Sequence, residues 1–315
     1  MTRVAAIDCG TNSLRLLIAD VDPAGGTLVD LDRDMHIVRL GQGVDKTKKF
    51  ADVALRRVFD ACRDYAGRVE SLGAERIRFV ATSASRDATN RDEFFDGVRS
   101  ILGVDAEVIS GDAEAALSFA GATRELLAVP DVAPPYLVID IGGGSTEFVL
   151  GMREVEAARS VDVGSVRLTE RHLHSDPPAE AQIEAARADV VRALDAVEQV
   201  VPTAKAHSVV GLAGTVTTLA AVALDLDEYD EARIHHARIS AQQVHAVTSA
   251  LLAMTSAERA ALAVMHPGRA DVIAAGALVL DIALARLGAR EVVVSAHDIL
   301  DGIAWELAEL TPGKR

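Results

Sequence analysis

Aromatic residues are scarce, at 3% of 315 positions, which argues against a surface that stacks bases. Cysteine is nearly absent as well. Cys9 and Cys62 cannot build a disulfide framework, so the chain reads as cytoplasmic and reduced. Positive charge is also short: 32 Lys and Arg stand against 47 Asp and Glu, a formal net charge of −15. Non-specific nucleic-acid binding needs a basic surface, so no nucleic-acid partner is expected. A polyanionic substrate would need a local basic lining that the global charge conceals. No apolar run reaches the roughly 18 residues that span a bilayer, and the start has no long apolar signal segment, so no membrane partner is expected either. No His/Cys spacing matches a zinc site. His172 and His174 do not share a helical face, and the adjacent pair His235 and His236 reads as a polar surface loop. Ser13, Ser83 and Ser145 lack a nearby His–Asp constellation, which leaves a serine triad unsupported.

What is present is a globular composition, with 50% hydrophobic and 25% charged residues. The length suggests about two domains. Apolar runs at 4–7 and 14–21 and an alternating run at 27–34 read as a three-stranded meander. A Gly- and Lys-rich loop at 41–49 precedes a helix over 51–72 that ends at Gly73. A strand at 77–81, a helix at 91–102, a strand at 106–110 and a helix over 112–127 complete the first half. After a proline-bounded linker at 130–135 the pattern restarts, with an apolar run at 136–139 ending at Asp140, then glycines and hydroxyls, then 148–150. Asp8 and Asp140 stand 132 residues apart, so the repeat is a whole domain. Further helices are expected at 179–200, 241–253, 256–264, 271–287 and 298–310, with strands at 208–212 and 291–295. Each half should form a mixed sheet flanked by helices. The expected division is 1–128 and 129–315, with the last helix able to pack back on the first domain.

Two loops carry the most chemistry. In the first, Gly10 at a tight corner lets backbone N–H groups approach an anion, and Thr11, Asn12 and Ser13 add donors. Asp8 beside a phosphate needs a cation between them and suits Mg²⁺. A polar hairpin turn is the plainer alternative. In the second, Gly142, Gly143 and Gly144, followed by Ser145, cost more conformational entropy than a plain hairpin requires. If the halves are duplicated, the two loops face each other across an interdomain cleft, a site for Mg²⁺ and a phosphate chain. Arg86, after the strand at 77–81, suits oxyanion binding or a solvated helix start. Glu114 reads either as an acid stabilised by a helix dipole or as the base that deprotonates an attacking water. The turn with Gly214 and Thr215 could bind phosphate at a helix N-terminus, or only pack tightly. It lacks the lysine of a Walker A loop.

The duplicated Asp-x-Gly loops resemble the actin, Hsp70 and sugar-kinase superfold, a ribonuclease H-like α/β class. More narrowly, the chain resembles the exopolyphosphatase/guanosine pentaphosphate phosphatase (Ppx/GppA) family. The matching blocks are AAIDCGTNSLRLLIADV at 5–21, FVATSASRDATN at 79–90, VISGDAEAALSF at 108–119, LVIDIGGGSTEFVLG at 137–151, VDVGSVRLTE at 161–170, GLAGTVTTLAAV at 211–222 and VSAHDILDGIAWE at 294–306. The resemblance implies a hydrolase releasing terminal orthophosphate from inorganic polyphosphate, with Glu114 as the base. It implies Mg²⁺ held by Asp8, Asp140 and Glu147. Phosphate would be held by Gly10, Thr11, Asn12, Ser13, Arg15, Arg86, Gly142, Gly143, Gly144 and Ser145, with Gly214 and Thr215 added from the reading of their turn. Lys46, Lys48, Lys49, Arg57 and Arg91 join Arg15 and Arg86 as candidates for a basic lining. The same site would serve guanosine pentaphosphate in the stringent response. A non-hydrolysing ATP-binding assembly protein and a kinase are more remote alternatives. Family members often carry consecutive acids where this chain has Ala113 and Glu114, and longer members have a C-terminal helical extension. The chain resembles the short two-domain form, and an apolar surface on the second domain leaves room for a homodimer.

Overall fold

The computed structural model describes residues 1–310. The first unit is built on β1 (Thr2–Cys9), β2 (Ser13–Asp22), β3 (Thr27–Ile37), β4 (Arg76–Ala81) and β5 (Ala106–Val108). The order is β3-β2-β1-β4-β5, antiparallel through the meander and parallel beyond it. The second unit repeats the plan with β6 (Tyr136–Ile141), β7 (Thr146–Gly151), β8 (Val155–Val161), β9 (Ser208–Leu212), β10 (Arg238–Ser240) and β11 (Glu291–Val294). Its order is β10-β11-β9-β6-β7-β8, so β8-β7-β6-β9-β11 matches the first sheet strand for strand. The duplicated mixed-sheet architecture expected from the Asp-x-Gly repeat is the one observed.

The central strand β1 is apolar over Val4–Ile7 and at Cys9 because both faces of its sheet are covered. Strand alternation sends Ala5, Ile7 and Cys9 to one face and Val4 and Ala6 to the other. The first face packs on Leu55, Val58, Cys62 and Tyr65 of the helix Asp52–Leu72, which ends on left-handed Gly73. The second face packs on Ile303, Ala304 and Trp305 of the terminal helix Ile299–Glu309. That helix is therefore part of the first unit, which comprises Met1–Gly121 and, among the described residues, 299–310, while Ala122–Asp298 forms the second. By contacts the division falls between Gly121 and Ala122, a few residues ahead of the proline-bounded linker. In the second unit the helix Ile273–Leu287 runs through the core, with eleven of its residues buried.

Several elements differ from expectation. The helix expected over 112–127 is Gly111–Thr123 followed by a short 3₁₀ turn at Leu126–Ala128, and the one expected over 256–264 ends at Ala260. The edge strand β8, the helix Ser165–His172 and the short strand β10 were not foreseen. β8 keeps only Val161 fully buried, so its sequence carries little alternation.

The close approach of the terminal helix explains Gly302. A Cβ there would lie 2.1 Å from the backbone oxygen of Leu117. Alanine's helix-propensity advantage over glycine is about 1 kcal/mol, whereas overpacking against immobile backbone costs about 1–3 kcal/mol or more. Gly302→Ala is therefore expected to lower the melting temperature by several degrees in a thermal scan. An unchanged or raised midpoint would refute this packing account.

Candidate active site

The two hairpin corners share one geometry. In the first, Gly10 N–H donates to the carbonyl of Ser13 at 2.9 Å; in the second, Gly142 N–H donates to Ser145 at 3.0 Å. Each corner turns its carbonyls inward onto neighbouring backbone. Val38 and Arg39 donate to Asn12, and Gly41 donates to Thr11. Ser165 donates to Gly142, Val166 and Arg167 donate to Gly143, and the Nε of Arg167 donates to Gly144 at 2.7 Å. Among the described residues no acceptor meets the N–H groups of Gly143 and Gly144. Carbonyls tied back and amides left over make a nest suited to an oxyanion.

Residues outside the Asp-x-Gly loops brace the second corner. Gly164 is forced by contact, since a Cβ there would lie 2.5 Å from the carbonyl carbon and oxygen of Gly143. Arg167 is nearly buried, at 7% exposure, with its guanidinium on the loop. The hydroxyl of Thr146 donates to the carbonyl of Val163. The only sequence signal was the block at 161–170, which carried the resemblance without an assigned function.

The acids occupy cross-strand positions that differ between the halves. In β1 and β2, Asp8 pairs in register with Arg15, whose Nη2 reaches its Oδ2 at 2.6 Å. In β6 and β7, Asp140 pairs in register with Glu147. Arg15 and Glu147 stand 132 residues apart, as Asp8 and Asp140 do, so the repeat puts a cation opposite one acid and a second acid opposite the other. Asp140 and Glu147 are 7% and 0% exposed. Like charges placed opposite each other across strands destabilise a sheet. Two buried hard-oxygen donors on one face fit Mg²⁺, and Glu147 is oriented by Ser160 Oγ at 2.6 Å.

Glu114 sits in the first turn of the helix Gly111–Thr123 and is 9% exposed. Its Oε2 accepts from Nη1 of Arg86 at 2.8 Å, and the same nitrogen donates to the carbonyl of Ile109 at 3.0 Å. Arg86 thus positions the acid in this structure. In the helix Ser83–Asp87, Ser83 shares a hydrogen bond with Thr11 of the first loop at 2.8 Å. Gly214 follows Ala213, which has φ of 67°, and a Cβ on Gly214 would lie 2.3 Å from the guanidinium of Arg269. Thr215 packs against Gly276 next to Ser165, the residue that braces Gly142. Of the other basic candidates, Lys46, Lys48, Lys49 and Arg91 are exposed, while Arg57 donates Nε to the carbonyl of Val38.

His235 and His236 are not an exposed loop. Both are half-buried, their ring centroids lie 3.6 Å apart, and His297 stacks on His235 at 4.5 Å. Burial, with His236 and His297 adding to it, pushes the His235 imidazole down to about 4.

A sequence model of the Ppx/GppA phosphatase family matches residues 17–309. The chain is 51% identical over 319 residues to exopolyphosphatase 2 of Mycobacterium tuberculosis, covering 98% of this chain and 99% of that protein. It is 30% identical to a guanosine-5′-triphosphate,3′-diphosphate pyrophosphatase of Vibrio atlanticus, covering 97% of this chain and 59% of that protein. The crystal structure of an exopolyphosphatase-like protein superposes with a TM-score of 0.92 at 45% identity, covering 96% of this chain and 98% of the other.

Proposed function

The chain belongs to the Ppx/GppA phosphatase family, and from that premise we propose that it is an exopolyphosphatase, releasing orthophosphate from the end of inorganic polyphosphate. The observation that carries the chemistry is the nearly buried Glu114 carboxylate held by Arg86 at 2.8 Å. The oxygen of a water bonds to the terminal phosphorus, the P–O bond to the next phosphate breaks, and the water's proton passes to Glu114. The shortened chain leaves as an anion. Such transfer depends mainly on positioning and charge stabilisation. The amides of Gly143 and Gly144 supply donors for a phosphate oxygen in the second unit. The first loop, with Thr11 and Ser13, supplies them in the first. Mg²⁺, when bound, neutralises charge on the phosphate oxygens. Asp140 and Glu147 would hold it, while Asp8 is paired with Arg15 within its own unit.

Polyphosphate is preferred over guanosine pentaphosphate as the substrate because the exopolyphosphatase relative is matched end to end at 51% identity, whereas the pyrophosphatase is matched at 30% over part of its length. The buried free thiols Cys9 and Cys62 suit the reducing cytoplasm. Among the described residues no helix is long and apolar enough to cross a membrane. The test is phosphate release with Mg²⁺ from short polyphosphate, long polyphosphate, guanosine pentaphosphate and ATP. Polyphosphate should be hydrolysed fastest. A preference for the guanosine substrate would transfer the assignment to the pentaphosphatase, and no release from any of the four would overturn the hydrolase reading.

A further inference from the structure

Three residues far apart in sequence meet on the second unit beyond the end of β11. Glu125 follows the helix Gly111–Thr123, His235 follows the short helix Glu231–Ile234, and His297 follows β11. One ligating atom from each lies within 4.8 Å of the other two. Nε2 of His235 and Nδ1 of His297 each stand 3.5 Å from Oε2 of Glu125. Atoms bound at about 2.0–2.2 Å to one tetrahedral ion are roughly 3.4 Å apart. Hydrogen-bonded N–H···O pairs sit nearer 2.9 Å. The spacing is therefore that of ligands around an ion.

A second observation points the same way. The Nε2 atom of His235 is buried and, beyond its 3.5 Å approach to Glu125, makes no hydrogen bond among the described residues. Orphaned buried polar atoms are rare in folded proteins and call for a water or an ion. The exposed side of Glu125 leaves an entry path. The similar group of Asp34, His36 and Asp64 is different, because the guanidinium of Arg68 already stands 3.0 Å from Asp64 and 3.6 Å from Asp34.

We propose that Glu125, His235 and His297 bind one Zn²⁺ ion, with the fourth position open to water. Two imidazoles and a carboxylate form a borderline-soft donor set, which distinguishes this site from the all-carboxylate pair that suits Mg²⁺. Coordination through Nε2 places the His235 ring proton on Nδ1, which now accepts from the Ala296 N–H at 3.1 Å. That hydrogen bond is exchanged for the metal bond, and the half-exposed Ala296 amide turns to water.

The test is calorimetric titration of Zn²⁺ into protein without a histidine tag, in excess Mg²⁺ so that hard-oxygen sites are filled. One ion per chain is expected, together with a raised melting temperature, since a ligand of the native state alone stabilises it. Loss of an outer-shell partner weakens metal sites roughly 10–100-fold, so His235→Ala and His297→Ala should each weaken binding by at least about 100-fold. His36→Ala should leave it unchanged. Circular dichroism checks that the variants are folded. Should a variant fail to fold, Co²⁺ bound to the unmodified chain decides: intense tetrahedral visible bands support the site, and a weak octahedral spectrum refutes it. The proposal is overturned if the unmodified chain shows no saturable binding, or if stoichiometric binding survives in the His235→Ala/His297→Ala chain. Neither readout depends on the hydrolase assignment.

Discussion

Glu114→Gln is expected to reduce phosphate release from polyphosphate by roughly 10²–10⁴-fold, the range that a positioned general base contributes. The substitution isolates one property. The amide keeps the size of the carboxyl and still offers an oxygen to Nη1 of Arg86, which also stays anchored on the carbonyl of Ile109. What is lost is the capacity to take a proton from water. The effect should therefore fall on kcat, with KM for polyphosphate nearly unchanged. Near-normal turnover would remove Glu114 from the mechanism. A large fall in melting temperature would instead make it a structural partner of Arg86. Arg86 is about three-quarters buried, so it retains enough solvent contact to tolerate a neutral neighbour.

The parts of this site that were legible in the sequence are those written in a short stretch of chain. Gly10 and Ser13, and Gly142 and Ser145, close the same turn because a strand, a corner and a return strand occupy consecutive residues. The duplicated meander followed for the same reason. The partner of each residue across space was not legible. Nothing near Arg86 in the chain reports that its guanidinium holds Glu114, 28 positions on. Gly164 lies 21 residues from Gly143 and owes its identity to that backbone alone. His235 and His236 look like a polar surface pair until His297 and Glu125 are seen beside them. Local periodicity reports which face of an element is apolar; it does not report which distant segment lands on that face. The return of the terminal helix to the first unit, allowed for in the expected division, rests on the same kind of distant contact.

Asp140→Asn and Asp8→Asn should separate the roles of the two corners, because the same substitution meets opposite surroundings. Asp8 faces Arg15 and makes an ion pair at 2.6 Å with side chains 5% and 19% exposed. Removing its charge leaves the guanidinium without that ion pair, and breaking one side of a buried pair typically costs about 3–5 kcal/mol. The partial exposure of Arg15 places the cost below that range. Asp8→Asn should therefore lower the melting temperature. Asp140 faces Glu147, and facing like charges cost a few tenths to about 1 kcal/mol. In the absence of divalent cation, Asp140→Asn relieves that repulsion, so stability should fall less than in Asp8→Asn. Its cost should appear in metal binding. Mn²⁺ binding followed by electron paramagnetic resonance should weaken by at least about tenfold, as expected when a carboxylate ligand is removed. The Mg²⁺ concentration for half-maximal phosphate release should rise in step. A destabilised Asp140→Asn chain with unchanged Mn²⁺ affinity would refute the assignment, since it would make the Asp140–Glu147 pair a structural contact and move the ion elsewhere. Stability held with cation affinity lost is an outcome that a purely structural acid cannot produce.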